Sequence, residues 1–402
     1  MFRGSILLFL SFYSCLAVAQ ITNPDSLKII QVRASETDAN IDFELAKHYA
    51  FYNTTTDPKW EKSLVVYLPG SFDVPQNTLL FPTVAANRGH HVVSLKYENG
   101  VAAKTACSNS ADSNCFAKYR QEIITGEDLS DKVEVDETNS IENRLLKLII
   151  HLNTNRPNEG WDIYLENGDL VWNKIIVAGH SQGGGHAAYM GLTKPLKRVL
   201  MFSSPNDWSD HFNAPAKWTK QTKATRTDSY FAFGALNDDV VDFSKQYQVW
   251  QSLGLTAVTD TTLADEDGNI NMNTRVMYTK FDKAGLSVNH NSTVRDSDTP
   301  LDMDGKPIFE YVWQVMLGID WIPGNIATPR QSLEYYPNPA HDRLQLPALK
   351  EANITITNSL GQLALNTTIS QGLINIKHLK SGIYHIQAQN KNTIYTATFI
   401  KR

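Results

Sequence analysis

The chain has 402 residues, 42% hydrophobic and 20% charged, an ordinary globular composition with room for a large catalytic core and a small accessory module. The formal net charge of −5 is unevenly spread: +1 over the first twenty residues and +4 over residues 334–402, which leaves −10 between them. So acidic a core disfavours nucleic acid, because phosphate binding needs basic patches, and no nucleic-acid partner is expected.

The first twenty residues, MFRGSILLFLSFYSCLAVAQ, begin with a basic Arg3, continue with an apolar run from Ile6 to Phe12, and end in small residues, Ala17-Val18-Ala19. This is the pattern of a signal peptide, residues 1–20. The run is too short to span a bilayer and no later stretch is long and apolar enough, so no transmembrane segment is expected. Cys15 leaves with the leader, and Cys107 and Cys115 remain in the polar stretch ACSNSADSNCF. Two close cysteines in an exported chain read as a disulfide, which contributes roughly 2–3 kcal/mol for so small a loop. A metal site would need two more thiolates or histidines there. No metal or other cofactor is expected.

Between residues 60 and 320, β-branched runs alternate with helical patterns. Strands are expected at Ser63–Leu68, His91–Leu95, Lys174–Ala178, Arg198–Ser203, Ser229–Phe233 and Arg275–Lys280. Helices are expected at about Ser140–Asn153 (Ser140 as N-cap), His186–Lys194, Phe243–Leu253 and Pro307–Gly318. Strands apolar throughout and separated by helices imply an α/β class with a mostly parallel central sheet covered on both faces. The composition shifts at PGNIATPRQS, a Pro/Gly/polar linker. Beyond it, short alternating strands separated by Gly or Asn predict a small C-terminal all-β sandwich. The expected organisation is a catalytic domain over 21–322, a linker over 323–332 and a second domain over 333–402.

In Gly179-His180-Ser181-Gln182-Gly183 a G-x-S-x-G pattern follows a strand and opens a helix, the context of a nucleophile elbow. A serine hydroxyl needs a base. In such a fold the acid follows the nucleophile and the histidine comes last. Asp238 stands four residues beyond Gly234, at the end of a strand, and is the expected acid, with Asp239 and then Asp242 as competitors. His211 precedes the acid, so His290, on a polar loop after the Arg275–Lys280 strand, is the expected base. His186 reads as structural. The oxyanion hole needs two backbone N–H groups. One is expected from Gln182, the other from Ser71 or Phe72 in LPGSF directly after SLVVYL. Pocket walls are expected from residues 96–140 and 204–228, with Trp208, Trp218 and the Cys107–Cys115 loop as a lid. The acidic run from Asp296 to Asp304 does not meet the calcium-loop template.

Two resemblances follow. VVYLPGSFDVP, RLLKLIIHL, IIVAGHSQGGGHAAYMG, RVLMFSSPND and VNHNSTVRD resemble a bacterial family within the α/β-hydrolase superfamily. That resemblance implies an α/β-hydrolase fold, Ser181 as nucleophile and His290 as base, without naming a substrate. Tyr336-Pro337-Asn338-Pro339-Ala340, the stretch from Ile354 to Gln362 and Leu379–Tyr384 resemble the C-terminal sorting domain of type IX secretion substrates. It implies the secretion machinery as a partner, export through the periplasm, and either release or surface attachment. The resulting expectation is a secreted carboxylic ester hydrolase with a Ser181–His290–Asp238 triad, acting on a small-molecule or polymeric ester. An amide hydrolase with the same triad and an inactive hydrolase-fold binding or surface protein are the alternatives.

Overall fold

The computed structural model describes residues 26–43, 46–54, 62–259, 261–265, 270–318, 330–347, 349–358, 363–390 and 393–402. The leader with Cys15, most of the expected linker, and Gly361-Gln362 of the tail motif lie outside them.

Among the described residues, nine strands form one sheet. In chain order they are β1 (Leu27–Arg33), β2 (Lys47–Asn53), β3 (Leu64–Leu68), β4 (His91–Ser94), β5 (Ile175–His180), β6 (Arg198–Phe202), β7 (Tyr230–Ala235), β8 (Thr261–Leu263) and β9 (Val276–Thr279). Their spatial order is β1-β2-β4-β3-β5-β6-β7-β9-β8. Every pair from β4 to β8 across the sheet is parallel, while β2 runs antiparallel to both β1 and β4. The sheet is mixed and mostly parallel. The two antiparallel edge strands are absent from the sequence reading, because neither LKIIQVR nor KHYAFYN is apolar enough to stand out as a buried strand.

The central strands are apolar throughout because both faces are covered. In β3, Leu64, Val66 and Leu68 enter one hydrophobic cluster while Val65 and Tyr67 enter another. The first cluster packs Leu145, Leu148 and Leu152 of the helix Ile141–Asn155, whose Ser140 side chain accepts the Asn143 N–H at 3.2 Å as an N-cap. The second packs Val312, Trp313 and Val315 of the helix Glu310–Leu317.

In the tail, Ala352–Asn358, Leu363–Ile369, Gly382–Asn390 and Thr393–Lys401 form antiparallel pairs around a core of Leu344, Ile354, Ile356, Ile386 and Phe399. Arg330–Ser332, expected in the linker, adds a short parallel strand against Thr393–Lys401. Arg343–Gln345 and Leu373–Asn375 pair separately.

Candidate active site

Parallel strands place their carboxyl ends on one edge of the sheet, and that edge collects the chemistry-bearing side chains. Ser181 follows β5, Asn206 lies beyond β6, Asp238 follows β7, and His290 lies beyond β9. Gly70, Ser71 and Phe72 follow β3. Most of these residues line one cavity of about 580 Å³, including Ser71, Ser181, Gln182, Asn206 and His290.

Ser181 sits between β5 and the helix Gln182–Thr193 with φ 52° and ψ −117°, a conformation costly for any residue with a side chain. Tight packing around the turn holds it there. A Cβ on Gly183 would collide with the Leu68 carbonyl, and one on Gly185 would collide with the Arg120 guanidinium. This also corrects the expected helix start. Three consecutive glycines disfavour a helix, so the pattern pointed to His186, yet the helix begins at Gln182. Contacts with β3 and Arg120 outweigh the propensity. The Gln182 N–H, at the first helical position, has no acceptor within its own helix and is available to an oxyanion.

His290 Nδ1 lies 2.7 Å from Asp238 Oδ2, with side chains only 4% and 1% exposed. The carboxylate accepts, so Nδ1 carries the proton and Nε2 presents its lone pair. Nε2 is buried and takes no hydrogen bond. The other Asp238 oxygen accepts the Val240 and Val241 N–H groups, both at 2.8 Å. Asp239 does something else: it accepts the backbone N–H groups of Ser287 (2.5 Å) and His290 (3.2 Å). The His290 carbonyl is held as well, by the Ser203 hydroxyl at 2.7 Å and by His180 Nε2 at 3.2 Å. Burial, then the neighbouring His290, hold the His180 pKa well below the ordinary value, so its ring is neutral and donates from Nε2. His290 was expected on a loop; it lies in a single helical turn, Val288–Asn291, that Asp239 anchors. Asp242, the third carboxylate weighed, instead caps the helix Phe243–Ser252 through the Ser244 and Lys245 N–H groups.

Ser181 Oγ accepts from Asn206 Nδ2 at 3.4 Å, and Gln246 Nε2 donates to Asn206 Oδ1 at 3.2 Å, which fixes that amide's orientation. Ser181 and His290 line one cavity, and Ser181 Oγ makes no hydrogen bond to His290 Nε2.

The two loop candidates for the second oxyanion donor differ. The Phe72 N–H already donates to the Asn99 carbonyl at 2.9 Å, which leaves Ser71. Phe72 is thereby corrected as a donor. The Ser71 hydroxyl donates to Gln182 Oε1 at 2.7 Å and ties the turn after β3 to the start of the helix Gln182–Thr193. Asn99 is 1% exposed, and its Nδ2 donates to the Gly70 (2.6 Å) and Asp73 (2.8 Å) carbonyls, so one residue clamps the whole turn. Lys96 Nζ donates to Asn99 Oδ1 at 2.6 Å.

Beneath the elbow, buried Arg120 pairs through two nitrogens with Asp207 (Nε at 2.7 Å) and donates to the Gln182 carbonyl at 3.1 Å. Trp218 donates Nε1 to the same carboxylate at 2.8 Å and packs edge-on against Tyr189. At 2% exposure Trp218 is core, not lid. Cys107 and Cys115 form a disulfide with Cα atoms 5.5 Å apart; it joins the helix Ala103–Cys107 to Cys115–Thr125. His186 stacks on Tyr119 and meets Tyr97 edge-on, buried, with its pKa well below the ordinary value through burial. In the acidic run, Asp296 accepts the Leu79 (2.8 Å) and Leu80 (3.1 Å) N–H groups, and Asp302 those of Asp304 and Lys306.

Asn99, Arg120, Asp207 and Asn206 are absent from the sequence reading. Asn206 and Asp207 carry a local signal, standing just beyond a buried strand run in FSSPND. Arg120 and Asp207 are 87 residues apart, with no motif joining them.

Residues 334–402 match the family model described as a secretion system C-terminal sorting domain. This tail carries the type IX sorting signal, so the protein is exported and is either secreted or held at the cell surface. No helix among the described residues is long and apolar enough to cross a membrane. No curated protein matches the chain. Among solved structures, the chain is similar to PorZ, titled an essential bacterial surface component of the type-IX secretion system of Porphyromonas gingivalis. The likeness has 18% identity and a TM-score of 0.16, and covers 17% of this chain and 11% of that one.

Proposed function

We propose that the protein is an exported serine hydrolase of the α/β-hydrolase class, acting on carboxylic esters. The reading rests chiefly on one observation: a buried Asp238–His290 pair leaves its Nε2 lone pair without a partner beside a cavity that Ser181 also lines. The mostly parallel sheet and the positive φ of the serine at a strand-to-helix turn support it further.

In this mechanism Ser181 Oγ leaves Asn206 by side-chain rotation and passes its proton to His290 Nε2 while attacking the ester carbonyl. Catalytic hydrogen bonds are often formed only once substrate is bound. Asp238 keeps the imidazole in the tautomer that can accept this proton and stabilises the imidazolium that results. The N–H groups of Gln182 and Ser71 hold the developing oxyanion. His290 returns the proton to the departing alcohol, and a water molecule, activated by the same histidine, releases the acid. Amide hydrolysis would use the same groups.

Fluorophosphonate labelling tests the reading. The expected result is an adduct on Ser181 in folded protein and loss of short-ester hydrolysis in Ser181→Ala with unchanged thermal unfolding. The missing hydrogen bond between Ser181 and His290 favours a second reading, an inactive scaffold that binds ligands at this cavity. Absence of the adduct together with absence of turnover selects it, and undiminished turnover in Ser181→Ala rejects the serine mechanism.

A further inference from the structure

The charged groups around the cavity are already engaged. Arg295 pairs with Asp73 (3.5 Å) and Asp298 (3.4 Å), Lys104 Nζ donates to the Val240 carbonyl at 2.9 Å, and Arg120 is buried against Asp207. Two of these three cations are neutralised by carboxylates, and the third, Lys104, is engaged by a backbone carbonyl.

Beside the catalytic candidates, the same cavity presents large exposed apolar side chains. Leu286 is 96% exposed and Phe72 73%, the two highest exposures among the large hydrophobic side chains described, and both line this cavity with Val240 at 38%. Single exposed apolar residues are ordinary on a protein surface, but a cluster at the mouth of a cavity marks a place where apolar surface is covered by something else. The backbone that carries both residues is held in place. Phe72 is fixed with φ 61° by its N–H bond to Asn99, and Leu286 directly precedes Ser287, whose N–H is held by Asp239.

We infer that the site takes neutral esters bearing extended apolar groups, which cover Phe72 and Leu286 when bound, in preference to acetyl groups on a polar polysaccharide. The inference rests on the ester-hydrolase reading. The chemistry assigns the two surfaces. With the carbonyl oxygen at the Ser71 and Gln182 N–H groups, Phe72, next to Ser71 on that turn, is assigned to the acyl portion. The leaving oxygen must face His290, which puts Leu286, four residues before it, beside the alcohol portion.

The test compares kcat/KM for p-nitrophenyl esters from acetate to octanoate, kept below their micellar concentrations, with acetylated xylan as the polar competitor. It uses the full-length oxidised protein together with the Phe72→Ser and Leu286→Ser variants. Each buried methylene is worth about fourfold in binding. With partial cover on an open rim, kcat/KM is expected to rise about two- to threefold per methylene from acetate to hexanoate. In Phe72→Ser that rise flattens. For alkyl acetates of increasing alcohol length the same flattening appears in Leu286→Ser. A flat chain-length profile in the wild type, faster release of acetate from xylan than from any apolar ester, or chain-length profiles unchanged in both variants overturns the inference and leaves the hydrolase reading standing. Failure of the hydrolase reading is distinguishable, since the wild type would then neither react with fluorophosphonate nor turn over any ester.

Discussion

His290 Nδ1 and Asp238 Oδ2 meet at 2.7 Å, while the adjacent Asp239 reaches the same histidine only through its backbone N–H. Two neighbouring carboxylates therefore serve one imidazole differently, the first fixing its tautomer and the second the helical turn that carries it. Asp238→Asn is expected to lower kcat on short esters by roughly 10⁴-fold, because the amide favours the wrong tautomer. Asp239→Asn is expected to lower it about tenfold or less, with the main effect on the 287–291 turn. Steady-state kinetics of both variants checks the assignment, and reversed magnitudes would exchange the two roles.

Asn99 touches neither Ser181 nor His290, yet it bonds the backbone of the turn that carries Ser71 at three points. Asn99→Ala removes the two side-chain bonds, to the Gly70 and Asp73 carbonyls, and loosens that turn. Loss of an oxyanion donor costs 10²–10³ in kcat, and a displaced rather than deleted donor is expected to cost about 10–100-fold. KM should change little, and the rate of fluorophosphonate labelling should fall in step with kcat. A change confined to KM would show that the loop binds substrate without serving the oxyanion.

The Arg120–Asp207 pair is buried under the elbow, so removing one partner strands the other's charge. Asp207→Ala is expected to destabilise the protein by about 3–5 kcal/mol, read from urea unfolding. Gly185→Ala pushes a methyl group into the Arg120 guanidinium and is expected to cost about 1–3 kcal/mol. The two losses should be less than additive, since both act on one guanidinium.

Acid should destabilise the fold. Burial holds His48 at about 3, His90 and His91 at about 4, and His180 and His186 well below the ordinary value. The unfolded chain takes up protons at these rings near pH 6.5 while the folded chain does not, so stability drops as pH falls below about 6.5, by roughly 1.4 kcal/mol per pH unit for each such ring. Asp296, raised by burial to about 6, acts in the opposite direction between pH 6 and 4, and Glu142, also raised by burial, acts with it, as two protons against five. Thermal unfolding at pH 7, 6 and 5 measures the balance, and a midpoint that rises toward pH 5 would contradict it.

Burial sets what the sequence discloses. The central strands, buried on both faces, are legible as unbroken apolar runs, and Ser140 is legible as a cap because its side chain performs a local function. Ser181, Asp238 and His290 are nominated by chain order, and the sheet gathers all three at its carboxyl edge. Distant pairings leave no local trace. Asn99 looks like any polar loop residue until Gly70 and Asp73 are seen beside it, and Phe72 looks as good a donor as Ser71 until its N–H is found to be occupied. The start of the Gln182 helix is obscured for a related reason. Its glycines answer to the Leu68 carbonyl and to Arg120, neither of which is near in sequence.

The bond between Cys107 and Cys115 bears on where the site can be completed. Ala103 and Lys104 reach the Gln182 side chain and the Val240 carbonyl from a helix of five residues, too short to hold its shape alone. Its far end is secured covalently to the next helix. In a reducing cytosol that bond stays open and the helix has only its noncovalent contacts; after export into an oxidising compartment it closes. Completion of the wall is thus tied to location, and material made in a reducing host must be oxidised before its activity is judged.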